Sequence, residues 1–244
     1  MAITLRALRL LPRTLFIAAF LVLLVATNVR LAFYSLELYE WEFARQGVPR
    51  TTGLTLEQLS DAGRQIRDYF NSAAEPLDVR ITVDGRSVSL FTEREVLHMA
   101  DVKQLVYWVY RLQEGSLLFL FLWVTLGFFV QGSDFIPRTR RLLLEASVLA
   151  MVIVGAAGFA AMVAFQPIFL LFHQLSFANN LWMLDPATSF LLRMFPQQFW
   201  VESTVLIGAS TIAEALAMAL LLTTIGWWRQ RQIRAAQRKT PQFT

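Results

Sequence analysis

Residues 117–165 read LLFLFLWVTLGFFVQGSDFIPRTRRLLLEASVLAMVIVGAAGFAAMVAF. Two apolar blocks, 117–130 and 142–165, are parted by eleven residues that hold Arg138, Arg140, Arg141 and a single acid, Asp134. An apolar run of about 20 residues crosses a bilayer as a helix, and a short loop rich in arginine stays on the cytoplasmic side. The stretch therefore predicts a transmembrane helical hairpin with a cytoplasmic turn.

Outward from this hairpin, an apolar block at 15–26 continues to about Tyr34 through Thr27, Asn28 and Arg30, and another spans 201–228. Arg6, Arg9 and Arg13 precede the first block, and Arg229, Arg231, Arg234, Arg238 and Lys239 follow the last. With four spans, all three basic clusters fall on one side, so both termini are expected in the cytoplasm. The first block lacks a clean small-residue cleavage site before a polar start, which argues for an uncleaved anchor over a signal peptide.

Composition agrees. Of 244 residues, 56% are hydrophobic and 16% charged, against about 25% charged in an ordinary soluble domain. The net charge of +4 sits in clusters beside apolar blocks, a topology signal and not a phosphate-binding stripe, so no nucleic-acid partner is expected. The chain has no cysteine, which excludes disulfides, thiolate metal sites and cysteine nucleophiles.

The connections are unequal: about eighty, eleven and thirty-five residues. The long one reads as an ordered domain. Thr55 and Gln58 form a capping box, and Leu56, Leu59, Ile66, Tyr69 and Phe70 keep helical spacing. Residues 79–83 alternate, Asp84-Gly85 supplies a tight turn, and 87–91 return as a hairpin. An isolated hairpin is marginal, so this one is expected to pack on its flanking helices or on the membrane surface. Thr92 with Glu95 makes a second capping box, opening a helix that carries His98 and Asp101 toward the second span. Run straight, that helix would lift His98 about 30 Å above Leu117 at 1.5 Å per residue. A bend near Gly115-Ser116 is expected, with Tyr107, Trp108 and Tyr110 in the interfacial belt; the alternative is a span that begins near Leu105.

The expected organisation is a mainly α membrane protein with four transmembrane helices and a small α/β outer domain. Its parts are 1–36 (N-terminus and first span), 37–115 (helix, β-hairpin, helix), 116–165 (second and third spans), 166–200 (interfacial segment) and 201–244 (fourth span and basic tail).

His98 and His173 are the only histidines, and the topology puts both on the extracytoplasmic side. Asp101, three residues after His98, shares its helix face and is the type of group that sets an imidazole's tautomer. Taken singly, each histidine also reads as a surface or interfacial residue; falling at the same boundary, they suggest one site. Met183, Met194 and the phenylalanines up to Trp200 read as lipid contacts, while Asp185-Pro186 and Phe195-Pro196 read as turns. Glu145 reads as a partner of Arg141. Glu214, midway along the fourth span, is either a helix-packing group or a cleft residue.

The segment 98–103 (HMADVK), the segment 172–182 (FHQLSFANNLW), and the Leu184-Asp185-Pro186 and Phe195-Pro196 that follow resemble the lipoprotein intramolecular transacylase family of bacterial membrane proteins. Span number, loop lengths and histidine placement are similar along essentially the whole chain. Asn180 and Gln197 stand where the resemblance leads one to expect acids. It implies an acyltransferase of the bacterial cell membrane that takes diacylated membrane lipoproteins as substrate, in contact with membrane lipids and without cofactor or metal. One ester-linked acyl chain would move from the diacylglyceryl group to the α-amino group of the N-terminal cysteine, leaving a lyso-glyceryl form. His98 and His173 would be the catalytic acid–base pair, with either assignment of base and acid open. Asp101, Asn179, Trp182 and Asp185 would orient the histidines or bind substrate. Readings from other classes are a metal-dependent head-group hydrolase built on His98, Asp101, His173 and Asp185, and a non-enzymatic scaffold.

The topology has a direct test, since any cysteine introduced into this chain is its only one. Cysteines at Ser87 and Ala187 should react with an impermeant thiol reagent in intact cells, and those at Thr139 and Gln237 should not. Labelling at Thr139 from outside would invert the topology.

Overall fold

Apolar stretches become helices here for the reason any chain in lipid does: each backbone N–H and C=O must find its partner inside the segment. The computed structural model describes residues 2–83 and 85–239, with the backbone alone for 2–11 and 236–239. The side chains of Arg6, Arg9, Arg238 and Lys239, and Asp84 of the hairpin turn, lie outside the described residues. In chain order the elements are α1 (Ala2–Tyr34), α2 (Leu36–Arg45), α3 (Val48–Thr52), α4 (Leu56–Phe70), β1 (Arg80–Val83), β2 (Arg86–Ser89), α5 (Glu93–Gln131), α6 (Phe135–Ser176), α7 (Phe190–Met194) and α8 (Gln197–Lys239). Among the described residues, the helical stretches long and apolar enough to cross a membrane are Pro12–Tyr34, Glu93–Ser176 and Gln197–Ala235. The 84-residue middle stretch is α5 and α6 joined through the short 3-10 turn Gly132–Asp134.

The chain forms two units. The first holds residues up to 24, 114–155 and from 209 onward, and its described residues are helical apart from the 3-10 turn. Its packing relies on small residues: Ala146, Ser147, Ala150, Thr211 and Ala215 are almost fully buried, which lets apolar helices approach closely. Gly127 leaves room for the Phe135 ring, and Gly226 for the Arg140 guanidinium, which donates to the Leu222 carbonyl at 3.2 Å. Glu145 pairs with Arg141, as expected, at 3.3 Å and also with Arg13 at 2.8 Å. Glu214 lies on an exposed face of α8.

The second unit holds residues 25–113 and 156–208. The Thr55–Gln58 capping box opens α4 as anticipated, and Gly63 lets α4 approach Phe43, Leu36 and Tyr39 closely. The hairpin pairs Ile81 with Val88 and Val83 with Arg86, and docks on α4. Gln58 Nε2 donates to the Thr82 carbonyl at 2.7 Å, and Gln65 bonds the Arg80 carbonyl and N–H at 2.8 and 3.0 Å. Ile81 turns its side chain into the core, where burial of such a group stabilises by about 1.5–3 kcal/mol.

Two expectations are overturned. No break interrupts α5 at Gly115-Ser116; the helix is continuous over 39 residues. Charged residues (Glu93, Arg94, Glu95, Asp101 and Lys103) crowd its first three turns, so its apolar part begins only beyond them. Met194, Phe195 and Phe199 are core residues and not lipid contacts: Met194 is fully buried, and the two rings meet edge-on at 5.0 Å beside Tyr39 and Phe43. Spaced apolar positions look the same whether lipid or an aromatic cluster awaits them. Met183 does remain exposed.

The third apolar block continues as helix to Ser176, with non-helical backbone at Ala164 (φ −135°, ψ 45°). Pro167 accounts for the kink: it has no N–H to donate, and its ring meets the carbonyl four residues back. His173 thus rides on the last two turns of α6.

Glu42 on α2 is fully buried, with Oε2 accepting from Gln46 Nε2 at 3.1 Å and Oε1 without a partner. Burial foremost raises its carboxyl above the usual carboxylate range; the Gln46 hydrogen bond opposes this, and Glu202 adds to the rise. A carboxyl raised in the folded state contributes stability that is complete below its unfolded value of about 4.3 and lost as pH climbs through the folded value. Glu42→Gln should therefore melt higher than the parent at pH 8 and about equally at pH 4. Thermal melts in detergent at the two pH values check this; a gap that does not depend on pH contradicts it.

Candidate active site

The capping box at the start of α5 is real and does more than cap. Glu95 Oε2 accepts from the Thr92 N–H and hydroxyl, both at 2.8 Å. Its other oxygen, Oε1, accepts from Ser189 Oγ at 2.7 Å and from the Leu191 N–H at 2.8 Å. Burial raises this carboxyl, but the four hydrogen bonds outweigh burial and hold it below the usual range. Ser189 in turn caps α7 by accepting from the Leu192 N–H at 3.1 Å. The start of α5 is thereby fastened to the far end of the loop that leaves α6.

One turn beyond Glu95 on α5 stands His98, and the end of α6 delivers His173. Their ring centroids are 6.1 Å apart, close enough for one small group to touch both. Both are buried, at 7% and 9% exposure. Rings surround them: Phe169 at 4.3 Å, Trp182 at 5.3 Å and Phe172 at 5.3 Å from His173, with Phe177 edge-on to His98 at 5.4 Å.

The two imidazoles differ in their hydrogen bonds. His173 Nδ1 lies 2.8 Å from the Phe169 carbonyl oxygen, which can only accept. Nδ1 therefore carries the hydrogen, and in the neutral ring Nε2 keeps its lone pair. His98 Nδ1 is buried without a hydrogen-bond partner. Burial, then the neighbouring His173, push the His98 imidazole down to about 4, while Asp101 pulls the other way. At neutral pH His98 is uncharged.

Asp101 acts on a different partner from the one expected. Its Oδ2 accepts from Asn179 Nδ2 at 2.8 Å, and its effect on His98 is through charge. Asn179 Oδ1 accepts from the Leu181 N–H at 2.9 Å, so both ends of that amide are held. Arg94, one turn before His98, donates to the carbonyls of Asn180 and Met183. Asp185 serves its turn: its carboxylate accepts from the Ala187 N–H and Thr188 Oγ1 at 2.9 and 3.3 Å. Among the described residues no group of three or more His, Asp or Glu side chains is arranged to hold a metal ion, so the set His98, Asp101, His173 and Asp185 is not assembled.

The structure thus brings His98, His173, Asp101, Asn179 and Trp182 together and leaves Asp185 in a structural turn. Sequence reasoning missed the cross-link from Glu95 to Ser189 and the Phe169 carbonyl. The Thr92–Glu95 spacing signalled the first bond of Glu95, while Ser189 lies 94 residues away with no local mark.

The fold has solved counterparts. The membrane integral lipoprotein intramolecular transacylase Lit from Bacillus cereus is 18% identical, with TM-score 0.71 over 92% of this chain and 97% of that one. A variant of that protein with one histidine changed to alanine is similar at TM-score 0.72 and 16% identity, covering 95% of this chain and all of the other. An uncharacterized protein of Aquifex aeolicus is 25% identical over 185 residues, 74% of this chain and 79% of that protein. The family model of the lipoprotein intramolecular transacylase Lit matches residues 14–200, and this chain belongs to that family, whose members are acyltransferases.

Proposed function

We propose that this chain moves an ester-linked acyl chain from the diacylglyceryl group of a membrane lipoprotein to the α-amino group of its N-terminal cysteine, by acid–base catalysis at the two histidines. The observation that carries the reading is the buried pair itself: two imidazoles 6.1 Å apart, one with Nδ1–H fixed on a carbonyl and one held neutral. Nucleophile and electrophile belong to one substrate molecule, so the protein has to orient them and move protons.

His173 Nε2 takes the proton as the amine nitrogen attacks the ester carbonyl carbon and the N–C bond forms. The neutral His98 ring donates its N–H to the oxygen that becomes negative, a task that suits an imidazole kept uncharged at working pH. Asn179, turned by Asp101, offers its second amide hydrogen to the same oxygen. When the C–O bond breaks, the His173 imidazolium returns its proton to the departing glyceryl oxygen, which leaves as an alcohol. The products are the N-acyl amide and a lyso-glyceryl lipoprotein, and both histidines are restored. Trp182 and the surrounding phenylalanines exclude water, which would otherwise hydrolyse the ester.

The chain crosses the bacterial cell membrane four times on this reading, through α1, the apolar part of α5, α6 and α8. Both termini are cytoplasmic, and residues 37–115 and 166–200 lie on the extracytoplasmic face. The substrate keeps its acyl tails among the membrane lipids while its glyceryl-cysteine head reaches the histidines.

Expression in a bacterium that lacks such a transacylase and retains diacylated lipoproteins tests the reaction. Mass spectrometry of N-terminal lipopeptides should show N-acyl, lyso-glyceryl cysteine, and a chelator should not reduce it. His98→Ala and His173→Ala should each lower product about 10²–10⁴-fold with the protein still in the membrane. Equal product from the double-histidine variant would overturn the assignment.

A further inference from the structure

We propose that Glu95 is a positioning residue for the acyl transfer, fixing the segment 177–189 as a cover over the two histidines. The proposal rests on the reading that the histidines perform the reaction. It assigns a task to a buried carboxylate that the proton transfers do not use.

Glu95 is 1% exposed and accepts four hydrogen bonds, which fills the capacity of a carboxylate. Two come from its own helix start and two from Ser189 and Leu191. The segment between α6 and α7 is therefore held at both ends: by the chain itself just after His173, and by Glu95 at Ser189. Along its length Asp101 holds the Asn179 side chain, and Arg94 holds the carbonyls of Asn180 and Met183. This segment carries Phe177, which faces His98, and Trp182, which faces His173. Glu95, Arg94, His98 and Asp101 fall within two turns of one helix. The residues that fasten the cover thus share a rigid element with the histidine that it seals.

Such a device has a signature beyond stability. Among the described residues, the titratable groups that act on His98 are His173 from α6 and Asp101 on its own helix; Arg94 and Glu95 lie within a turn of it on α5, and the cover contributes Phe177 and Asn179, which carry no charge. Loosening the cover admits water to His98. Its imidazole then regains its ordinary basicity, becomes a cation in mild acid, and can no longer act as the neutral donor.

The test uses the full-length protein in proteoliposomes with a synthetic diacylglyceryl-cysteine peptide, and reads the lyso product by mass spectrometry from pH 4.5 to 8. Glu95→Gln removes the charge, Glu95→Asp keeps it at shorter reach, and Ser189→Ala removes one donor while leaving the carboxylate. The expected result is a fall in kcat of tenfold or more for Glu95→Gln, a smaller fall for Ser189→Ala, and partial recovery in Glu95→Asp. KM should change less than kcat, and in both Glu95→Gln and Ser189→Ala the ¹⁵N resonances of His98 should titrate nearer pH 6.5 than in the parent. Ser189→Ala keeps the proposal open to refutation should Glu95→Gln fail to fold. Variants whose rate per folded molecule and His98 titration match the parent would overturn it. If His98→Ala is inactive while these variants are normal, only the task of Glu95 falls; if His98→Ala is active, the histidine reading falls with it.

Discussion

Four hydrogen bonds that meet on the carboxylate of Glu95 join the two parts of the chain from which the site is built. The helix with His98 and the loop that follows His173 are distant in sequence. Fastened together they enclose both rings among aromatic side chains. A buried carboxylate with an unmade bond would cost several kcal/mol, whereas one that is fully satisfied gives a single well-defined arrangement. The contrast with Glu42, equally buried with one oxygen unpartnered, shows the difference between a fastening and a strain.

The two histidines differ in character, one set by its own helix and the other by the enclosure. His173 sits just past the kink that Pro167 imposes on α6, and a helical carbonyl one turn back fixes its tautomer. His98 has the reverse arrangement: no partner on Nδ1 and surroundings that resist charge. One imidazole prepared to accept a proton and one prepared to remain neutral make an asymmetric pair. Acyl transfer within one substrate molecule calls for that asymmetry and for little else, because no protein nucleophile is consumed.

Much of this was legible in the sequence, and the reasons for the remainder are physical. Helix starts are local, so Thr55 with Gln58 and Thr92 with Glu95 announced themselves, as did the hairpin through Gly85. Apolar blocks and a resemblance along the chain pointed to the family, and the histidine motifs to the site. Burial of Phe195 and Phe199 was invisible because aromatic residues suit both lipid and core. Asp101 lay on the expected helix face, yet its hydrogen bond goes to Asn179 across a long sequence separation that spacing rules do not reach. The uninterrupted α5 shows the same limit: Gly115 and Ser116 permit a bend without requiring one, and helical propensity on both sides carried through.

Because the chain has only two histidines, imidazole ¹⁵N resonances report on the site without ambiguity. Nitrogen NMR on histidine-labelled protein in lipid nanodiscs, titrated from pH 8 to 4, should show His98 neutral until about pH 4 and His173 bearing its hydrogen on Nδ1. Both signals should shift when a diacylglyceryl-cysteine peptide is added. A His98 that titrates near 6.5, or a peptide that perturbs only one of the two rings, would contradict a shared, asymmetric histidine site.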